Sequence, residues 1–414
     1  MTNDLLLYTR KQVSAFLEEI ERLKDSEFPY PHSRAALVEV AGVFANHLNY
    51  LDGITPKNDP KAVRRVCDAA VDGIGYYLPL LGFILRSTNV RNAFEIYGPV
   101  LQLARQTLGS ATKLVISSEW KYSPFMYGGV KHLPGFVFIG LPAPESANPF
   151  LVPLAGHELG HSLWAKNIVA DPAIYSDYIK RVTDKITADI RQDPDEYVKV
   201  FKDVDLARLE TDLIAWQTWQ PALHWGLSQM EECFCDFVGL RLFGKSYLYA
   251  LSYLLSPMHS GQRPLEYPNT RRRISYLKQA ASRYLVELPL NYEPLFEDLS
   301  PLVDLRQRYL VGLADAAADT LIPTLIGKVH DLCTAAGVPN EDSAIINTIH
   351  EAFRFVTPGT NARCLADIVN AAWNAFHDET LWSGMKHLNN RDATLKELVL
   401  KSIEVFEVEQ MPPL

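Results

Sequence analysis

The sequence predicts a mainly helical (α+β) fold, with one small sheet between N- and C-terminal helical regions. Three observations predict it. Apolar residues recur at helical spacing through most of the chain, two short β-branched or aromatic runs interrupt that pattern, and no internal repeat or low-complexity tract is visible. The 414 residues are 48% apolar and 21% charged, which is the balance of a folded globular protein and excludes disordered, collagen-like and disulfide-stapled classes. At about 100 to 200 residues per domain, two or three domains are expected.

Each element follows from its own signal. Up to about residue 110 the stripes are helical, as in Leu37, Ala41, Phe44, Leu48 and Leu51. Asp59 before Pro60 predicts a helix start, because Asp caps free N–H groups and a proline in the first turn forfeits no bond. Residues 112–117 (TKLVIS) and 136–141 (FVFIGL) read as strands bounded by Gly and Pro. A helix is expected from near Pro153, carrying AGHELGHSLWAK.

Residues 171–213 form a polar helical insertion of net charge −4. Its apolar positions keep helical spacing at Tyr178, Val182, Ile186 and Ile190, and later at Phe201, Leu209, Leu213 and Trp216. Two solvated helices are expected there, with a lid over a cleft as the alternative. The helical pattern resumes over residues 229–243 and runs to the end, through the stripes Leu365, Ile368, Ala372, Phe376 and Leu395, Leu398, Ser402, Phe406. These changes divide the chain into a helical region 1–110, a core 111–290 and a helical region 291–414.

Forty basic and 49 acidic residues leave a net charge of −9, so the phosphate attraction behind nucleic-acid binding has no source. No nucleic-acid partner is expected. The opening MTNDLLLYTRKQ turns polar too soon for a secretory signal, and the longest charge-free apolar stretch, residues 73–85, contains Pro79. That stretch falls short of the roughly 20 residues a membrane span requires, so no membrane insertion is expected. Five thinly spread cysteines (Cys67, Cys233, Cys235, Cys333, Cys364) are no disulfide framework and point to a reducing cytoplasmic location.

His157-Glu158-Leu159-Gly160-His161 is an HExxH. On a helix its histidines lie about 40° apart around the axis and one turn apart along it, so both imidazoles can face one metal ion. That geometry suits zinc, and Glu158 on the same turn can take a proton from a metal-activated water. The alternative is an amphipathic helix with two half-exposed histidines. The longer HExxHxxGxxH pattern fails, because Trp164 and Asn167 stand where its glycine and third histidine belong.

A third ligand is therefore sought elsewhere. Glu232 and Asp236 are four apart, on one helix face, among the apolar residues Met230, Cys233, Phe234, Cys235, Phe237, Val238 and Leu240. Glu232 would complete the zinc sphere, and Asp236 would accept the second ring N–H of a ligating histidine, His157 first. A solvated acidic face is the alternative, but carboxylates in apolar surroundings need partners and a metal is one. Glu231 receives no role. Cys233 and Cys235 are read as buried packing, since Cys-x-Cys is not a zinc-knuckle spacing.

HELGH followed at long range by ExxxD resembles the gluzincin metallopeptidases. Residues 267–274, Tyr-Pro-Asn-Thr-Arg-Arg-Arg-Ile, resemble the HPxxxxRI segment of the HtpX and CAAX prenyl protease type. Tyr267 replaces that family's histidine, and its membrane helices are missing. Cys235 fits the slot before the aspartate that small residues usually fill in that family.

The resemblance implies a zincin-like core, Zn2+ as cofactor, and a protein or peptide substrate whose peptide bonds are hydrolysed through a metal-activated water. His157, His161 and Glu232 would be the ligands and Glu158 the base. Residues 136–141 would form an edge strand above the metal helix, where an extended peptide could add by strand pairing. Tyr267 is the first choice of oxyanion donor, ahead of His259, Arg273 and His224. Arg273 is also expected to pair with a core carboxylate, while Arg271 and Arg272 face water.

No glutamate near FVFIGLP is placed to hold a free amino terminus, which favours internal cleavage. Trp164, Trp216, Trp219 and Trp225 would line a pocket or pack in the core. Two other functions stay open: a catalytically inactive pseudoprotease or helical interaction module with a structural metal, and a small-molecule amide hydrolase.

Overall fold

The structure is a computed structural model that describes residues 2–55, 58–88, 94–121, 123–145, 148–202, 204–256, 263–297, 302–383 and 390–411. The chain divides into two compact units: Met1–Arg105 with Gly109–Ala147, and Gln106–Leu108 with Asn148–Leu414. Helix dominates throughout, with one three-stranded sheet among the described residues.

The N-terminal elements are α1 (Thr2–Lys24), α2 (Pro31–Asp52), α3 (Pro60–Arg86), α4 (Tyr97–Leu108), β1 (Lys113–Glu119), β2 (Phe125–Tyr127) and β3 (Phe136–Pro142). The Asp59 side chain accepts from the Lys61 N–H with Pro60 in the first turn, the start that the sequence signals. Leu37, Ala41, Phe44 and Leu51 of α2 are buried with Phe83 and Ile84 of α3, and Val115 and Phe138 of the strands join the same core.

Residues 136–141 do not form an edge. The sheet order is β1-β3-β2, with β3 parallel to β1 on one side and antiparallel to β2 on the other. The near-continuous apolar run of β3 is that of a strand covered on both sides. β2, only three residues long, carries too little pattern to be read in advance. Gly140 is required at the centre of β3, because a Cβ there would lie 2.6 Å from the Phe125 ring.

α3 also corrects an expectation. It continues through Pro79 from Pro60 to Arg86, and is long and apolar enough to cross a membrane by length and composition. Val63, Cys67, Ala70, Tyr77, Leu80 and Leu81 on this helix are buried in the first unit's core.

The second unit holds α5 (Leu154–Ala170), α6 (Pro172–Gln192), α7 (Pro194–Val200), α8 (Leu213–Phe243), α9 (Lys245–Leu255), α10 (Thr270–Tyr284), α11 (Leu305–Asp319), α12 (Ile322–Ala335), α13 (Ser343–Arg354), α14 (Leu365–His377) and α15 (Arg391–Gln410). α8 runs through its centre, with α5, α6, α10, α11 and α12 packed around it. The boundaries expected at 110/111 and 290/291 therefore do not coincide with the two units. β1 packs on α2 and α3, while α11 and α12 pack on α8.

The insertion contains the two expected helices, α6 and α7, and the helically spaced stripe of α6 packs into the core of the second unit while its outer face is exposed. Tyr178, Val182, Ile186 and Ile190 are all buried, and Val182 lies against Gly226 of α8. The later stripe stops short, since Leu213 and Trp216 are exposed. Ser402, the polar member of the α15 stripe, is buried with its hydroxyl donating to the Leu398 carbonyl and accepting from the Gly359 N–H.

Candidate metal centre

Glycines bring the two motif helices together. A Cβ on Gly160 would lie 2.6 Å from the Cα of Cys235, and one on Gly156 would lie 3.0 Å from the Cα of Gly239. One turn on α5 thus matches one turn back along α8, and the helices cross in antiparallel register at near-backbone contact. That seam places His157 beside Asp236 and His161 beside Glu231 and Glu232. Gly239 clears the space for the Tyr247 ring of α9, whose hydroxyl then reaches Asp236.

The His157 ring is held from behind. Its Nδ1 lies 3.0 Å from Asp236 Oδ1 and donates to it, since a carboxylate only accepts. Burial opposes a charge on the ring, but Asp236 and Glu232 together raise its pKa to about 10, and Nε2 is the nitrogen left facing Glu232. Asp236, 1% exposed, also takes two hydrogen bonds from the Arg273 guanidinium, at 2.5 and 2.7 Å, and one from the Tyr247 hydroxyl at 2.6 Å. Burial alone would push this carboxyl up. The charge and hydrogen bonds of Arg273, followed by those of His157, instead hold it well below the usual range.

His161 repeats the arrangement with a different carboxylate. Its Nδ1 is 2.9 Å from Glu231 Oε1 and donates to it, so Nε2 is its inward-facing nitrogen. The two Nε2 atoms converge on Glu232, at 3.2 Å from Oε2 for His157 and 3.8 Å from Oε1 for His161.

Glu232 Oε2 is buried and lacks an aligned hydrogen-bond partner. Glu158, 6% exposed, lies beside these groups, and burial raises its carboxyl above the ordinary value against the opposing pull of the two histidines. A carboxylate set against the inner ring nitrogens of two histidines, with one oxygen buried and without an aligned hydrogen bond, is a donor set that a divalent cation would satisfy.

Cys235 enters the same neighbourhood. Its Sγ and one ring nitrogen from each histidine lie within 4.8 Å of one another, so His157, His161 and Cys235 are a group able to hold a metal ion. The sequence reading of Cys235 as packing thus omits a donor. Its thiol is fully buried, and burial together with Glu232, Glu231, Glu158 and Asp236 pushes it well up, which disfavours the thiolate a metal needs. Cys233 is buried as expected.

Tyr267 lies in the segment before α10, with the Arg273 guanidinium carbon 5.5 Å from its ring centroid. Burial raises its phenol, and the nearby Glu232 adds to the shift, so it remains protonated at neutral pH. The segment is tied down at two points: Gln229 of α8 donates to the Leu265 carbonyl, and Arg263 donates to the Tyr267 carbonyl while pairing with Asp315 of α11.

His224 is exposed, two turns before Glu232, and His259 lies outside the described residues. Arg272 pairs with Asp319 instead of facing water as expected. Trp164, stacked on Tyr178, and Trp219, donating to the Leu209 carbonyl, are core residues.

Glu231 and Tyr247 are the site residues that the sequence reading missed. The available signals were faint: a second acidic residue beside the expected ligand, and a tyrosine eleven positions after Asp236. No family model matches the chain, and neither a curated protein nor a solved structure matches it.

Proposed function

We propose that this chain is a zinc-dependent metallopeptidase, which hydrolyses peptide bonds of a protein or peptide substrate at internal positions. The observation that carries the reading is the convergence of the Nε2 atoms of both histidines on the Glu232 carboxylate, whose Oε2 is buried without an aligned hydrogen bond. His157, His161 and Glu232 would hold the ion, a set of two nitrogens and one oxygen that leaves a fourth position open. Zinc, when bound, supplies Lewis acidity toward water and toward a carbonyl oxygen.

The remaining work falls to the chain. Glu158, its basicity raised by burial, takes a proton from water and returns it to the leaving amine. Tyr267, kept neutral, can donate a hydrogen bond to the oxyanion. Asp236, locked by Arg273 and Tyr247, fixes the tautomer and aim of His157. Strand addition at residues 136–141 is not part of this proposal, because β3 has neighbours on both sides. A second reading, a structural metal in a helical interaction module, is favoured by the closeness of Cys235 to both histidines.

Elemental analysis of the purified chain separates the two. Wild type is expected to carry near-stoichiometric zinc, to lose it in Glu232→Ala and to keep it in Cys235→Ala. Zinc that instead follows Cys235 would overturn the ligand set and favour the structural site. Digestion of a mixed peptide library completes the test. Glu158→Gln should retain zinc while cleavage falls by about 10²- to 10⁴-fold, the usual worth of a general base. Cleavage that survives this change would remove Glu158 from the chemistry.

A further inference from the structure

The two histidines are held by carboxylates from opposite sides of one stretch of α8, and only one of these carboxylates follows from the sequence pattern. We infer that Glu231 is a positioning residue for the metal centre, acting through His161; the inference rests on the metal reading above. Glu231 and Glu232 are consecutive on α8, so their side chains leave the helix about 100° apart. The geometry uses that divergence. Glu232 faces the inner nitrogen of the His161 ring at 3.8 Å, and Glu231 engages the outer nitrogen at 2.9 Å.

One imidazole therefore lies between neighbouring residues of a single helical turn, hydrogen-bonded at Nδ1 and facing Glu232 at Nε2. The ring can neither flip nor exchange its tautomer without giving up the contact at Nδ1. A flipped ring would turn Nε2 away from Glu232.

Asp236 does the same for His157 from one turn further along α8. The two positioning carboxylates differ in surroundings. Asp236 has further partners in Arg273 and Tyr247, whereas the Glu231 side chain is 36% exposed. Its replacement should therefore act on the metal more than on the fold.

The test measures zinc affinity of the full chain by competition with a chromogenic chelator. It uses wild type, Glu231→Ala and Glu231→Gln, each with a melting curve of the metal-free protein. Loss of a carboxylate behind a ligating histidine typically weakens metal binding about 10- to 100-fold, and Glu231→Ala should fall in that range. Glu231→Gln keeps a carbonyl that accepts from Nδ1 and should recover part of the loss. Metal-free melting should shift little in either variant. The cobalt-substituted protein offers a second readout, because a reoriented imidazole changes the visible d–d bands of Glu231→Ala relative to wild type.

Wild-type affinity in Glu231→Ala would overturn the positioning role and leave the metal reading standing. Equal losses in both variants with a matching drop in metal-free melting would assign Glu231 to the fold instead, which also overturns it. A wild type that takes up no zinc would overturn the metal reading together with this inference.

Discussion

The two histidines of the motif are matched in geometry and opposed in environment. Behind His157 stands a dry network in which Asp236, 1% exposed, accepts from the His157 ring, from Arg273 twice and from Tyr247. Behind His161 stands a single carboxylate, Glu231, in partial contact with solvent. The difference separates two tasks that one kind of bond performs. On the buried side the carboxylate must neutralise an arginine as well as orient a ring, so stability and metal geometry are fused. On the outer side water can take over whatever the carboxylate leaves, and only the ring's orientation is at stake.

The strongest way to break that comparison is Asp236→Ala. It strands the Arg273 guanidinium, which is 8% exposed, without its charge partner. Removing one member of a buried pair costs about 3–5 kcal/mol, well beyond the loss of a single hydrogen bond. Denaturant unfolding of the metal-free protein should show this loss, and zinc affinity should fall as well. The comparison fails if Glu231→Ala destabilises the metal-free chain by a similar amount.

Gly160→Ala addresses the seam that both sides share. The added methyl meets the Cα of Cys235 at 2.6 Å, and a backbone atom cannot turn aside as a flexible side chain would. Overpacking of this kind costs about 1–3 kcal/mol, offset by about 1 kcal/mol of improved helix propensity. A net loss of about 1 kcal/mol, and at most about 2 kcal/mol, is expected in unfolding experiments. Zinc affinity should fall more steeply, because separating α5 from α8 moves both histidines away from Glu232 together. Unchanged affinity would mean that the helices reach this spacing without the glycine.

These glycines also explain what the sequence could and could not reveal. His157, Glu158 and His161 are legible because their relation is confined to one helical turn, and Glu232 with Asp236 is legible for the same reason. The match between the two turns is a register between positions about 75 to 83 residues apart in the chain, and no local pattern encodes it. Gly156 and Gly160 opposite Gly239 and Cys235 become meaningful only once α5 lies antiparallel on α8. Glu231 and Tyr247 depend on that register, so neither stands out in advance.

The same limit applies elsewhere in the chain. The β3 run is readable as a strand, but its central place depends on β2, whose three residues carry no periodicity. The polarity of the insertion describes its outer face, and only the helical spacing of Val182, Ile186 and Ile190 points to their full burial. Charge counts average over a helix, whereas packing is decided by one stripe of it.

The smallest expected effect sharpens the comparison most finely. Tyr247→Phe removes one hydrogen bond from Asp236 while leaving the ring over Gly239 and the Arg273 pair in place. Because Asp236 Oδ1 keeps its contacts with His157 and Arg273, the cost should be near that of an ordinary hydrogen bond, about 1 kcal/mol in thermal unfolding. The Tyr247 oxygen also lies 3.4 Å from His157 Nδ1, where it competes with the imidazole for the same carboxylate oxygen. Its removal therefore leaves the imidazole a stronger hold on Asp236, and zinc affinity should change by less than about tenfold. A loss as large as that of Asp236→Ala would show that the buried network acts as one unit, in which no member can be removed without releasing the arginine.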